Sequence, residues 1–392
     1  MSNRSLTILG VVAAAMLAWA IVQSHWSRRP GGESGGVRPL IQGLLPADIH
    51  SIVIGQGKET VTLRREGEGF VLVNRDNYPA ANREINRIIT DCLDMTVGRR
   101  VTGDAGNHAE LEVTEEKART VVKFLRVPAQ ADQPGELIAG VLIGKSAGEG
   151  GGAHVRLANS NDVYVCENVP WFSTSALSWV DQQLLNVSRE QLARVKVQGP
   201  QESYTLEGEP NNVVRVAEAP AGRQSQSSAC EQAFTALGGL RFNDVQRQSE
   251  RTESPVFDRR YIGELKDGTV YTCELGSRAD KYYLKCGVKF LGPTEVRVGQ
   301  GESAEQLKAK EAQLKAGEAA QRFAQRHQGW VYEISKWQYD RMTKPLNDLL
   351  EKPQSAPVPA GSSAGSGGPG AAGAEPNQPL RAGGGGSAEP VE

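Results

Sequence analysis

One stretch of this chain is written twice. Ile52–Val73 reads IVIGQGKETVTLRREGEGFVLV, and Val195–Val216 reads VKVQGPQESYTLEGEPNNVVRV; at a spacing of 143 residues the two align without a gap. Ile54 meets Val197, Thr62 and Leu63 meet Thr205 and Leu206, and Val71 and Val73 meet Val214 and Val216. Apolar and polar residues alternate in both, the period of a strand with one buried face, and turn residues interrupt the alternation. Each copy therefore predicts a three-stranded meander. A helix is expected after each: Ala81–Met95, with Ile85, Ile88, Ile89 and Cys92 at helical spacing, and Ser227–Leu237, with Cys230, Ala233, Phe234 and Leu237. Spacings of three and four put each set on one face, so both helices should pack on their meanders.

The copies also close alike. Asp162–Leu185 and Trp330–Leu350 each read as a short Val-Tyr strand, a Trp-bearing turn and a helix ending in Leu-Leu. Between meander and ending lie further strands, at Thr120–Arg126, Leu137–Ile143 and His154–Leu157 in the first copy. In the second they are Tyr261–Leu265, Val270–Leu275 and Lys281–Phe290. The expected fold is α+β, with two tandem related modules at residues 40–188 and 189–351, each an antiparallel meander plus helix plus further strands. The second module carries an insertion at residues 302–327. There Ser303 and Gln306 form a capping-box pattern ahead of an Ala/Glu/Lys/Gln-rich helix. Leu307, Leu314 and Phe323 are its sparse apolar positions, which suits a solvated helix lying over the module; a docking helix for a partner is the alternative.

Outside the modules the material changes. Leu6–Val22 is seventeen residues without a charge and with Thr7 alone polar. At about 1.5 Å per residue it covers roughly 26 Å, close to the thickness of a bilayer core. Residues 1–26 are therefore expected to be a transmembrane anchor, with Trp19 and Trp26 at its C-terminal end; cleavage as a signal peptide after Ala18-Trp19-Ala20 is the alternative. Residues 27–39 read as a Gly-rich flexible linker. In residues 352–392, seventeen of forty-one positions are Gly or Pro and large apolar side chains are nearly absent, so this tail is expected to be disordered.

Chemistry-bearing patterns are few. Lys and Arg number 44 against 46 Asp and Glu, which leaves no basic excess for nucleic acid. No CxxC or HExxH occurs among the five cysteines and five histidines, so no metal site, cofactor site or catalytic set is assigned. Gly144–Ala153, GKSAGEGGGA, brushes against the P-loop and nucleophile-elbow patterns through Lys145 and Ser146. Both patterns need a helix directly after the loop, whereas the AHVRLA that follows reads as a strand, so a hairpin loop is expected. Glu110, Glu112, Glu115 and Glu116 read as a solvated acidic face, with a general-acid pair as the sharper alternative. Trp171, Trp179, Trp330 and Trp337 sit in the matching endings; packing is the expected role and a sugar-stacking platform the alternative. Cys273 and Cys286 fall on two strands of one predicted hairpin and read equally as a disulfide or as two small strand residues.

The order of these pieces resembles the bacterial family catalogued as domain of unknown function 4340. The resembling features are Leu44-Leu45-Pro46, the VTLRREGEGFVL meander, Tyr78-Pro79-Ala80, HAELEV at 108–113, Leu142-Ile143-Gly144 and the W-VD--LL ending. In the second copy they are LKDGTVYTCELG and KYYLKC. The resemblance implies one N-terminal membrane segment in the bacterial inner membrane and a body on the periplasmic side. It also implies a neighbourhood of gliding-motility-type ABC-transporter components, and it carries over no catalytic residues. The expected function is a non-enzymatic accessory or scaffold protein of an envelope complex. The alternatives are a binding module for envelope glycan or polymer, and a hydrolase using Ser146 or the acidic run.

Overall fold

Strand alternation is realised, among the described residues, as two large antiparallel sheets and two two-stranded ones. The structure is a computed structural model and describes residues 38–351 other than 57–58, 131–132, 149–150, 210–212, 251–254 and 294–302. The expected membrane span at Leu6–Val22 and the tail 352–392 lie outside the described residues. Among the described residues no helix is long and apolar enough to cross a membrane. Four α-helices occur among them beside the many strands, an α+β fold weighted towards β.

The first sheet is built from β1 (Ser51–Gln56), β2 (Glu59–Glu66), β3 (Gly69–Leu72), β4 (Tyr78–Pro79), β5 (Arg100–Thr102), β6 (Thr120–Leu125), β7 (Leu137–Ser146), β8 (Ala153–Leu157) and β9 (Val163–Cys166). Its spatial order is β4-β3-β2-β1-β6-β7-β8-β9-β5. The second is built from β10 (Leu192–Gln198), β11 (Ser203–Gly208), β12 (Val214–Val216), β13 (Asp244–Arg247), β14 (Val256–Leu265), β15 (Thr269–Arg278), β16 (Lys281–Phe290) and β17 (Trp330–Ile334). Its order is β12-β11-β10-β14-β15-β16-β17-β13. Apart from the extra edge strand β4, the two orders are the same, strand for strand.

Register agrees as well. Ile52 faces Leu63 and Ile54 faces Val61; 143 residues on, Val195 faces Leu206 and Val197 faces Tyr204. The gapless alignment fails in the third strand. Leu63 pairs with Leu72, whereas Leu206 pairs with Val216, so Val216 is the counterpart of Leu72 and not of Val73. The cause is the turn. The first copy closes on Gly67-Glu68, with Gly67 at φ +58°, and the second uses a loop one residue longer. A one-residue slip would carry every side chain to the other face, so burial sets the pairing: Leu72 is buried and Val73 is exposed.

Helix α1 (Asn82–Leu93) buries Ile85, Ile88, Ile89 and Cys92, and α2 (Ser227–Phe234) buries Cys230, Ala233 and Phe234. Tyr261 on β14 is fully buried and holds the end of α2, its hydroxyl 2.7 and 2.9 Å from the carbonyls of Phe234 and Ala233. Each helix is followed by a short strand that returns to the segment ahead of its own meander. Thr96–Val97 pairs with Arg38–Pro39, and Leu240–Arg241 pairs with Gln183–Leu185. Arg38–Pro39, at the end of the expected linker, is thus paired with the strand after α1, and residues 183–185 are paired with the strand after α2. The endings differ more than expected. Lys336–Met342 forms a helix, α4, but its counterpart is one four-residue 3₁₀ turn at Ala176–Trp179. Proline at 170 and serines at 173, 175 and 178 favour turns over a helix interior there.

The inserted helix, α3, runs Ala304–His327 and opens on the expected capping box, with Ser303 N donating to Gln306 Oε1 at 2.9 Å. Only its C-terminal part is seated: Ala320 and His327 are buried and Phe323 meets Tyr271 edge-on at 5.2 Å, while Leu307 and Leu314 are exposed. One apolar core runs through both halves.

Two of the family-like motifs meet in space. Leu111 and Glu112 of HAELEV lie directly over Gly144, where an added Cβ would sit 2.3 Å from the Leu111 carbonyl oxygen. The buried His108 meets the Asn161 carbonyl at 3.0 Å, and Arg156 donates to the carbonyls of Val113 and Ser160, both at 2.9 Å. Gly144→Ala is therefore expected to cost about 1–3 kcal/mol in urea unfolding by forcing backbone apart. A loss below about 0.5 kcal/mol, the size of an ordinary surface substitution, would count against this contact.

Candidate functional site

The two halves meet at the loop before β4. Asp76 and Asn77 take left-handed backbone (φ 53° and 61°), which Asp and Asn tolerate better than most residues, and they turn the chain into Tyr78. Arg75 Nε reaches Asp244 Oδ1 of β13 at 2.7 Å, and the Arg247 amide donates to Asp76 Oδ2 at 2.8 Å. Tyr78 itself is fully buried against the second half. Its ring stands edge-on to Trp330 at 4.9 Å, Phe242 at 5.7 Å and Tyr332 at 6.3 Å. Arg247 caps the Trp330 ring at 4.2 Å.

Behind this cluster, His327 Nδ1 lies 2.6 Å from the Tyr332 hydroxyl, and Phe323 stacks on the imidazole at 4.2 Å. Burial, reinforced by the Arg326 charge, pushes the His327 pKa down to about 4. The imidazole is therefore neutral at physiological pH. Burial likewise raises the Tyr78 and Tyr332 hydroxyls above the ordinary phenol value. A neutral imidazole bonded to a phenol inside a mainly aromatic cluster is a structural arrangement, held by packing on all sides.

Beside the junction runs a groove of ≈860 Å³. Phe70, Asn82, Glu84 and Asp181 line it from the first half, Arg241 and Arg326 from the second. Glu84 is paired with Arg83 at 3.4 Å and with Arg87 at 3.5 Å. A smaller hollow of ≈240 Å³ shares Glu84 and Ser178 with the groove and adds Trp171, Phe172 and Ser173. Trp179 positions both: its carbonyl accepts from the Ala81 amide at the start of α1 (2.8 Å), and its indole N–H donates to the Ser173 carbonyl (3.0 Å). The lining mixes carboxylates, guanidiniums and hydroxyls with one open aromatic ring. It is equipped to hold a polar ligand by hydrogen bonds and stacking.

The candidate residues picked out by sequence motif fall elsewhere, and they do not converge. Ser146 ends β7, and its hydroxyl points at the Gly152 carbonyl (3.4 Å); β8 follows, with no helix to serve a P-loop or an elbow. The acidic run is exposed, and Glu115 pairs with Lys123 at 2.7 Å. His108 and His154 are buried on backbone carbonyls. Among the described residues no group of three or more His, Cys, Asp or Glu side chains could hold a metal ion. The four tryptophans divide. Trp179 and Trp330 are core, as a packing role requires, whereas Trp171 is 69% and Trp337 64% exposed. One face of Trp337 is covered by Arg341 at 4.6 Å. Arg241 and Arg326 carry no signal in the sequence, whereas Asp181 and Phe70 belong to family-like motifs that line the groove and Tyr78-Pro79-Ala80 enters the junction.

No curated protein and no solved structure matches the chain. Residues 71–256 match a family model described as Domain of unknown function (DUF4340). The matched stretch begins within β3 and ends at the start of β14, so it crosses the junction and takes in Tyr78, α1 and Phe242. By that match, the chain carries a domain of the DUF4340 family.

Proposed function

We propose that the protein is a membrane-anchored, exported, non-enzymatic accessory or scaffold subunit of a cell-envelope complex, associated with ABC-transporter components. The observation behind this reading is where the distinctive side chains go. Tyr78, His108, Gly144, Arg156, Trp330 and His327 are all engaged in joining segments of the body to one another. A body stiffened in this way and tethered by Leu6–Val22 suits holding partners in place. We also read the two halves as a tandem duplication, on the strength of the shared strand order and the common register of the first hairpin. Gentle solubilisation of membranes, pull-down of the full chain and quantitative mass spectrometry should return transporter or other envelope subunits. Recovery of none in vivo would sink the scaffold reading.

A second reading is favoured by Trp171. Its open ring lies at a hollow continuous with the polar groove, which is the geometry for stacking one sugar of an envelope glycan while neighbours bond Glu84, Arg87 and the serines. Trp171→Ala should then weaken glycan binding at least about tenfold, the loss of a contact worth roughly 1.4 kcal/mol. Trp337→Ala should leave it unchanged. Equal behaviour of the two variants in isothermal titration would remove this reading.

A further inference from the structure

Cys273 on β15 and Cys286 on β16 are direct partners across the hairpin, with their sulfur atoms 3.9 Å apart. The hairpin turns on Ala279 and Asp280, both with positive φ (48° and 60°), a two-residue turn of the I′ kind. Such a turn closes on a hydrogen-bonded pair, here Arg278 and Lys281, and the pairs alternate from there. Cys273 and Cys286 therefore fall on a non-hydrogen-bonded pair, where facing Cα atoms approach to about 4.5 Å. A disulfide spans Cα separations of roughly 4.4–6.8 Å, so rotation of the side chains suffices and the backbone need not move. The other three cysteines sit on separate elements, Cys92 on α1, Cys166 on β9 and Cys230 on α2.

We propose that Cys273 and Cys286 are a redox modification site, oxidised to a cross-strand disulfide by a small-molecule disulfide and so clasping the β15–β16 hairpin that carries α3. Cys286 is the half-buried partner and the point of entry; Cys273 is fully buried. The Cys286 thiolate attacks one sulfur of the small disulfide, forming a mixed disulfide and releasing one small thiol. The Cys273 thiolate then attacks the Cys286 sulfur and displaces the second small thiol. The protein loses two protons and two electrons, and the small disulfide is reduced to two thiols. The neighbouring Cys273 thiol and burial hold the Cys286 pKa above its ordinary value, so exchange on the folded protein is slow at neutral pH and quickens as pH rises.

The test is incubation of the full-length reduced protein with oxidised glutathione at mildly alkaline pH, then alkylation under denaturing conditions and peptide mass mapping. The expected result is one linked peptide pair containing residues 273 and 286, two hydrogens lighter than the reduced pair, with Cys92, Cys166 and Cys230 alkylated. The oxidised protein should unfold about 5 °C higher than the reduced one, because the closed loop is denied to the unfolded chain. Cys273→Ser should retain glutathione on Cys286 and show no such rise; Cys286→Ala provides the same comparison if the first variant folds poorly. Alkylation of both cysteines after oxidation, glutathione retained on Cys286 of the unmodified sequence, or a bond to any other cysteine would each overturn the proposal.

Discussion

Tyr78→Ala is expected to lower the unfolding free energy by about 3–5 kcal/mol, the usual loss for truncating a fully buried aromatic ring. Tyr78 is a ring of the first half seated among Phe242, Trp330 and Tyr332 of the second, so its loss removes edge-on ring contacts as well as buried area. The effect should reach both halves, since one apolar core runs through them. Urea unfolding is readable from either side, with Trp179 buried in the first half and Trp330 in the second. A cavity at the junction should lower both signals together or part them into two transitions. Tyr78→Phe keeps the ring and its edge-on contacts and should stay within about 1.5 kcal/mol of the parent, the usual limit for a volume-conserving swap. A double-mutant cycle with Trp330→Leu should return a coupling of roughly 0.5–1.5 kcal/mol for the ring pair. A Tyr78→Ala loss below about 1 kcal/mol would mean that the halves do not depend on this contact.

The second large effect is a dependence on pH. His327 titrates at about 4 in the folded protein because burial, seconded by Arg326, disfavours its charged form. In the unfolded chain a histidine titrates near 6.5. Between those values the unfolded chain binds the extra proton, so stability is full above pH ~6.5 and falls as pH drops towards 4. The shift corresponds to about 3 kcal/mol lost across that window. His327→Gln should flatten the slope between those pH values by about the same amount, while lowering stability at pH 8 through poorer packing on Phe323. Chemical denaturation at half-unit pH steps checks this. Parallel slopes for parent and variant would assign the dependence to other groups.

The two expected effects also mark where reading from residues to structure succeeded and where it stopped. The meanders, both core helices, the capping box of α3 and the hairpin around residues 144–153 were legible because each is decided within a short window. Period-two alternation makes a half-buried strand, spacing of three and four makes a one-sided helix, and Ser303 with Gln306 closes its own first turn. The first hairpin of each meander even keeps its register at the 143-residue offset. The miss in the third strand came from a single added loop residue, which no alternation pattern registers until buried and exposed faces are compared. The helix expected after Cys166 was lost for a related reason: the apolar spacing resembled that of α4, while proline and serine made turns cheaper.

The groove and the junction lie beyond local reading altogether. Tyr78 meets Trp330, and Asp181 lines one groove with Arg241 and Arg326, beside the place where the loop at residues 73–77 bonds to β13. The partners are separated by as many as 250 positions or more, and nothing in either neighbourhood specifies the other. The same holds for the tryptophans: all four stand in matching endings, yet two are core and two face solvent. The repeated wording at Ile52–Val73 and Val195–Val216 was enough to set the strand order within each meander, since alternation and turns act over a few residues. How the halves join and which polar side chains share a groove were settled by packing between distant segments. There burial and charge pairing act through space and leave no periodic trace along the chain.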